Sequence, residues 1–498
     1  MTVSSNITTN RPPVMNRWLV VIGAVLIQLA LGAIYAWSVF TKKLELAGGG
    51  YEFTNKQTAA VFSAGLATFA LVMLFAGRWQ AKSGPRSVAL VGGVTLGLGY
   101  ILGGFLGSSF WTQFICIGLI GGAGIGLAYV VPIAVCVKWF PDKKGMITGL
   151  AVAGFGFGAT IWVKLAGSWF GGLLNTTSVF GLPGVQSVFV IYGVVFLVMV
   201  VLGSLVMVNP PAGWKPAGWE PPAADGTGAQ PSGAVDMSAA EMLSCPQYWA
   251  LLLMFVGSAL AGLMVIYCIR LFGVDSLLAN EGQAAREAVN TALLSQGLSL
   301  DSPGLTLEKM IEESSKWAGA IAGTAMAFYA ILNGLGRIIW GTVSDLIGRK
   351  TTLFLMCLIQ GVMMLSFFYV GRSEIGLILG ACVIGFNFGG NFALFPAATA
   401  DFFGNKRVGT NYPWVFLAYG IAGVAGPFVA GYFKDAAKAA ALEAARAAAE
   451  TPADYLTTVT ADAWQTPFVI AGIACLVAAL LGLLLKAPDH SHRQAKAA

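Results

Sequence analysis

Arg337 sits inside an apolar stretch, Trp317 to Val343, in a chain whose other membrane-length stretches hold no Asp or Glu. A permanently charged guanidinium at that depth is costly unless something compensates it. With no carboxylate of the protein available in a span, the sequence points to a small anion held during its passage. The planar guanidinium can grip a carboxylate with two hydrogen bonds. Asn333 and Tyr329 share its helical face, one and two turns earlier. Asn333 has two readings: it orients Arg337 or touches the anion, or it makes an interhelical hydrogen bond. Arg337 could instead snorkel, because a polar loop begins just after Gly341. Helix direction opposes this, since side chains tilt towards the helix N-terminus and so away from that loop. The expectation is a guanidinium facing a water-accessible chamber.

The elements that must position it are membrane helices. The chain has 498 residues, 57% hydrophobic and only 10% charged, with a mean hydropathy of +0.75. A span needs roughly 20 apolar residues. Twelve stretches qualify: 17–40, 57–77, 87–107, 110–137, 146–170, 186–208, 247–270, 317–343, 351–371, 375–400, 412–433 and 465–486. Strand alternation is absent, so the spans are helices and the chain is an all-α integral membrane protein. Residues 1–16 are polar without a signal-peptide pattern, so the first apolar run reads as a retained helix. Arg78, Lys82, Arg86, Lys143, Lys144, Arg349, Lys350, Lys406 and Arg407 fall in one set of short loops, which also holds both termini. That side is expected to be cytoplasmic, in the cell's inner or plasma membrane. The net charge of +6 reflects this bias and gives no reason to expect nucleic acid as a partner.

The seven cysteines have no paired spacing and read as small packing residues. Both histidines, His490 and His492, lie in the C-terminal tail, which excludes a buried His relay or His-ligated metal. No cofactor motif and no nucleophile–base set is visible, so an enzyme is not expected.

The sequence repeats itself weakly. Gly77 to Arg86 between spans 2 and 3 is echoed by Gly341 to Lys350 between spans 8 and 9, 264 residues later. Gly121 and Pro132 in span 4 recur as Gly385 and Pro396 in span 10 at the same offset. Ile34-Tyr35 recurs as Ile266-Tyr267 at an offset of 232, the difference being extra chain between spans 7 and 8. This predicts a six-plus-six duplication: a tail over 1–16, one bundle over 17–208, a cytoplasmic linker over 209–246, a second bundle over 247–486 and a tail over 487–498. Segments 271–316 and 434–464 are insertions on the outer face. The first holds Ala284, Ala285, Ala288, Ala292 and Leu293 at helical spacing; solvated decoration is the favoured reading, a lid over the outer mouth the other.

The Gly-xxx-Asp-xx-Gly-Arg-Lys loop at 341–350 resembles the signature of the major facilitator superfamily. Within it the chain resembles the oxalate/formate antiporter branch, through Arg17-Trp18, Leu31 to Phe40, Lys138 to Asp142, Asn333 to Arg337, Phe392 to Pro396, Asp401 to Gly404 and Ala418 to Gly420. The resemblance implies twelve helices in two pseudo-symmetric bundles rocking around a central cavity, with a small carboxylate as cargo; the lipid bilayer is the other expected partner, and a monomer is one of the states the sequence leaves open. It also implies two cationic residues for a dicarboxylate, one in span 8 and one in span 11. Arg337 matches the first, but Tyr419 stands at the second, which leans the expectation towards a monocarboxylate such as formate, lactate or pyruvate. Related proton-coupled carriers have an Asp where this chain has Asn333, so that form of proton coupling is not expected; exchange of one anion for another is the expected coupling, with uniport and proton-linked uptake through a tyrosine, water or the substrate as the alternatives. Sugar or drug transport on the same fold would suit a more polar or acidic cavity.

Tyr35, Tyr129, Tyr267 and Tyr419 come from helices that line the cavity in such a fold, and Tyr joins an apolar wall to a polar donor. Trp37, Phe388 and Phe392 could complete the walls. Asp345, Arg349, Gly341 and Gly348 are expected to gate the cytoplasmic mouth. Ala81 replaces the equivalent Asp in the first half, so the matching gate there should be weaker. Lys164 and Arg270, near the outer ends of spans 5 and 7, read as interfacial cations.

Overall fold

The computed structural model describes residues 15–44, 51–167, 169–182, 184–211, 213–216, 218–219, 236–302, 305–448 and 461–486. Most of the N-terminal tail, the C-terminal tail, the middle of the linker at 220–235 and residues 449–460 lie outside these.

Twelve helices are long and apolar enough to cross a membrane, and the described residues contain no strand. Spans 1 to 6 are Arg17–Ala36, Ala60–Ser83, Pro85–Phe105, Phe110–Trp139, Lys144–Gly167 and Gly184–Ser204. Spans 7 to 12 are Pro246–Asn280, Lys309–Ile347, Arg349–Val370, Glu374–Phe403, Val408–Phe433 and Asp462–Leu484. Helical starts are chemically marked. Thr54 and Gln57 form a reciprocal cap at the entry to span 2, and Pro85 and Pro246 occupy first turns where their missing N–H costs nothing. Gly348, at φ +86°, makes the reversal between spans 8 and 9, a backbone conformation that L side chains adopt only at a cost.

Spans 7 and 8 run further than hydropathy alone suggests. The helix of span 7 continues to Asn280, and that of span 8 begins at Leu307. Phe272, Leu277, Leu278 and Met310 are fully or almost fully buried along these extensions. The amphipathic helix Gly282–Leu294 covers them with Ala285, Val289 and Leu293. The 271–316 segment is therefore largely continuous helix with its own small core, not loose decoration.

The two halves meet along two seams, span 5 against span 8 and span 2 against span 11. Each seam contains a glycine crossing. A methyl group on Gly341 would overlap the Gly145 carbonyl, and one on Gly77 would overlap the Gly409 carbonyl. These pairs are related by the same 264-residue offset as the loop motifs. Close backbone approach of this kind is how helices gain dispersion energy where lipid supplies no hydrophobic drive.

Three local departures from α geometry matter for the centre. Span 1 tightens into a 3₁₀ turn over Gly32–Ala36. Span 4 widens into a π-helical stretch over Phe114–Gly121. Span 11 carries Pro413 and Pro427 inside its helix. Such interruptions are tolerated in lipid when the freed backbone groups face other protein segments.

Candidate anion site and gate

Span 8 places Arg337 at the seam with span 5, wholly buried. Its Nε and Nη2 donate to Asn333 Oδ1 at 3.1 and 2.9 Å, one helical turn away. Its Nη1 donates across the seam to the Val152 carbonyl at 2.7 Å. The guanidinium carbon lies 4.2 Å from the Phe392 ring centroid and 5.6 Å from that of Phe155, two cation–π contacts with one ring from each half. All its described partners are neutral.

Tyrosines pack on the rings around this charge: Tyr35 lies 5.1 Å from Phe155 and Tyr419 5.5 Å from Phe392, with Tyr129 and Tyr412 in the same aromatic cluster. Tyr35 and Tyr419 meet hydroxyl to hydroxyl across the interface. Tyr129 packs edge-on to Phe155 at 5.5 Å and against Phe416 at 5.2 Å, and Phe416 in turn packs on Tyr412 and Tyr419. Gln28 holds span 4 in place by donating to the Tyr129 carbonyl at 3.1 Å. The arrangement can neutralise one negative charge, donate hydrogen bonds from phenols and shield both with aromatic rings.

Several expectations need correction. Arg337 does not face a water-accessible chamber: the seam and the aromatic rings close over it on every side. Trp37 stands away from the charge. It stacks on Phe189 and donates to the Thr58 carbonyl at 3.0 Å, so it is core packing of the first half. Tyr267 is 44% exposed and lies beside Gly431, at the end of span 11 remote from the basic loops. Although it is the repeat mate of Tyr35, the two point differently for a geometric reason. A 3₁₀ turn advances each residue by more than an α turn, rotating Tyr35 by about 60° relative to an unbroken helix. Span 7 is unbroken there. Phe388 packs against Phe392 and Tyr329, backing the wall and not forming it.

Sequence reasoning missed Phe155, Tyr412 and Val152. Phe155 carried a signal, since it is the repeat mate of Tyr419. Nothing in the sequence marked Tyr412, in the first turns of span 11, or a backbone carbonyl.

At the basic end of the bundle, Asp345 accepts from the backbone N–H groups of Gly145 and Met146 at 2.9 and 2.8 Å. It thereby caps the N-terminal end of span 5, where the helix dipole favours negative charge. Arg349 pairs with Asp345 at 2.7 Å and with Asp401 at 2.8 Å. Asp401 also receives Lys144 of span 5 at 2.8 Å. Gly341 supplies the crossing with Gly145, and Gly348 the turn that brings Arg349 back to Asp345. Asp401 and Lys144 belong to this network although the sequence reading gave it only four members. In the mirror position the charges vanish, since Ala81, Val137, Pro85 and Val408 stand where Asp345, Asp401, Arg349 and Lys144 would fall. There Gln80 packs onto Gly409 instead. Lys164 and Arg270 are exposed, the latter close to Gly319.

The Major Facilitator Superfamily pattern matches residues 14–285 and 289–498. The chain is 24% identical over 414 residues to the oxalate:formate antiporter of Oxalobacter formigenes, covering 82% of this chain and 83% of the relative. It is 24% identical over 461 residues to apicoplast pyruvate carrier 1 of Toxoplasma gondii, covering 80% and 81%. The fold is similar to that of the proton:xylose symporter XylE bound to 6-bromo-6-deoxy-D-glucose, at a TM-score of 0.56 and 14% identity over 95% of this chain and 96% of that one.

Proposed function

Because the chain belongs to the Major Facilitator Superfamily, whose membrane transporters share its twelve-helix architecture, we propose that it carries small carboxylate anions, monocarboxylates above all, by alternating access around Arg337. One observation carries this reading. A wholly buried guanidinium lies on the seam between the halves with only neutral described partners. A buried cation without a counter-charge is stabilised by an anion that arrives from outside the protein. The single charge favours a cargo with a single charge, and Tyr419, where the antiporter branch has a second cation, supplies only a phenol. The relatives' names, an oxalate:formate antiporter and a pyruvate carrier, lie within the same chemical class.

Anion exchange is the coupling this chemistry favours. A loaded site is electrically neutral and can cross the barrier, whereas an empty one carries a bare cation through the low-dielectric middle. Asn333, holding the guanidinium, has no proton to give or take at ordinary pH. Asp345, Asp401, Lys144 and Arg349 close the basic end, which the loop charges assign to the cytoplasm, with both termini on that side of the cell membrane. Opening there breaks the Lys144–Asp401 pair and frees Asp345 from the start of span 5.

The test is a panel of labelled carboxylates in proteoliposomes at fixed pH, with and without an internal counter-anion. Uptake of monocarboxylates that accelerates with internal anion, and that vanishes in Arg337→Ala, is the expected result. Carboxylate uptake unchanged by that substitution refutes the reading.

A further inference from the structure

The guanidinium at the seam is one end of a longer hydrogen-bonded chain. Asn333 accepts from Arg337 twice through Oδ1, at 3.1 and 2.9 Å. Asn333 also hydrogen-bonds the hydroxyl of Tyr329, a buried side chain one turn earlier. That hydroxyl donates to the Gly262 carbonyl of span 7 at 3.1 Å. The order of protons is therefore fixed. A carbonyl only accepts, so Tyr329 spends its single proton on Gly262 and can only accept from Asn333. Asn333 must present its amide N–H groups to Tyr329, which turns its oxygen towards Arg337. Cation, amide and phenol polarise one another along such a chain. In the first half Gly65, Phe69 and Met73 stand at the positions matching Tyr329, Asn333 and Arg337, so the fold itself does not demand the chain.

We propose that Tyr329 is a positioning residue for cargo release. By fixing the Asn333 oxygen on Arg337, it strengthens the internal ligand that a carboxylate must displace, and that reclaims the guanidinium as the cargo leaves. The inference rests on the carboxylate reading above, with the anion on Arg337. Without the Tyr329 hydroxyl, Asn333 is free to rotate. An amide turned to present N–H groups opposes the cation instead of solvating it. The competitor is then weaker, so the anion binds more tightly and departs more slowly.

Exchange of labelled formate, lactate and pyruvate in proteoliposomes, measured over a range of concentrations, tests this. Tyr329→Phe should lower the half-saturating concentration by about fivefold, the scale of one net hydrogen bond, and slow the maximal rate. A lesion that only loosened packing does not tighten binding. Tyr192→Phe gives that comparison: it removes another buried phenol that donates to a carbonyl, that of Trp162 in the first half, and should leave half-saturation unchanged. Asn333→Ala should shift half-saturation in the same direction as Tyr329→Phe. Adding Tyr329→Phe to Asn333→Ala should change nothing further, because Tyr329 acts through Asn333. An unchanged or raised half-saturating concentration in Tyr329→Phe overturns this inference while leaving carboxylate transport intact, and additive effects in the pair also overturn it. Insensitivity of all uptake to Arg337→Ala overturns the underlying reading instead. Should Tyr329→Phe fail to insert, Tyr329→Met, which also lacks the hydroxyl, carries the same measurement.

Discussion

Arg337 of span 8 donates to the backbone carbonyl of Val152 in span 5 at 2.7 Å, so the charge at the centre is tied to both halves at once. On the proposed function, an arriving carboxylate would compete with that carbonyl and with Asn333 for the same N–H groups. Binding and the relation between the halves would then be coupled through one side chain. Arg337→Ala removes the whole interaction and is expected to reduce carboxylate transport by about 100-fold or more, consistent with two charge-assisted hydrogen bonds. Arg337→Lys keeps the charge but loses the fork and should recover only part of it. Uptake rates in proteoliposomes, corrected for inserted protein, check both.

The closeness of spans 5 and 8 at this depth depends on Gly149, where a methyl group would overlap the Arg337 carbonyl. Gly149→Val should push the spans apart and cut transport at least tenfold without preventing insertion. Preserved transport would show that the seam has slack that the packing does not suggest.

Asp345 reaches span 5 through two backbone N–H groups, and Lys144 reaches span 10 through Asp401. Asp345→Asn and Asp401→Asn each weaken the closed basic end. In a background without the seven native cysteines, a cysteine at Thr148 should react faster with a membrane-impermeant thiol reagent from the basic side in either variant. An unchanged rate would remove these residues from the gate.

Tyr419→Lys places a second cation opposite Arg337, beside Tyr35. Inhibition of transport by oxalate or malonate should strengthen by about tenfold, the scale of one charge-assisted contact. Competition assays against a labelled monocarboxylate read this directly. Unaltered dicarboxylate inhibition would count against a shared site between spans 8 and 11.

Much of this was visible in the sequence because hydropathy and helical spacing are local properties. The twelve spans follow from runs of apolar residues, and the Arg337–Asn333 contact follows from a separation of one turn. The Lys144–Asp401 pair was not visible, because its partners are 257 residues apart and each reads alone as an ordinary loop charge. Tyr267 was misplaced because repeat symmetry predicts position along the chain but not a local 3₁₀ turn in its mate. Tyr412 stayed hidden for a related reason: only the crossing of spans 4 and 11 brings it to Tyr129.

The proposed gate also has a sidedness. Ion pairs and capped N–H groups fasten spans 5, 8 and 10 at the basic end, whereas the opposing edge, spans 2 and 11, has no ion pair among the described residues and rests on Gly77, Gly409, Gln80 and the Arg78–Trp414 cation–π contact, with Ala81 where an acid would stand. Ion pairs must rupture before their edge can part; contacts without paired charges can roll. The mouth at the basic end should accordingly swing wide along the fastened edge and pivot on the other. Spin labels straddling spans 5 and 8 would then separate further than labels straddling spans 2 and 11, and equal excursions would mean a symmetric rocking after all.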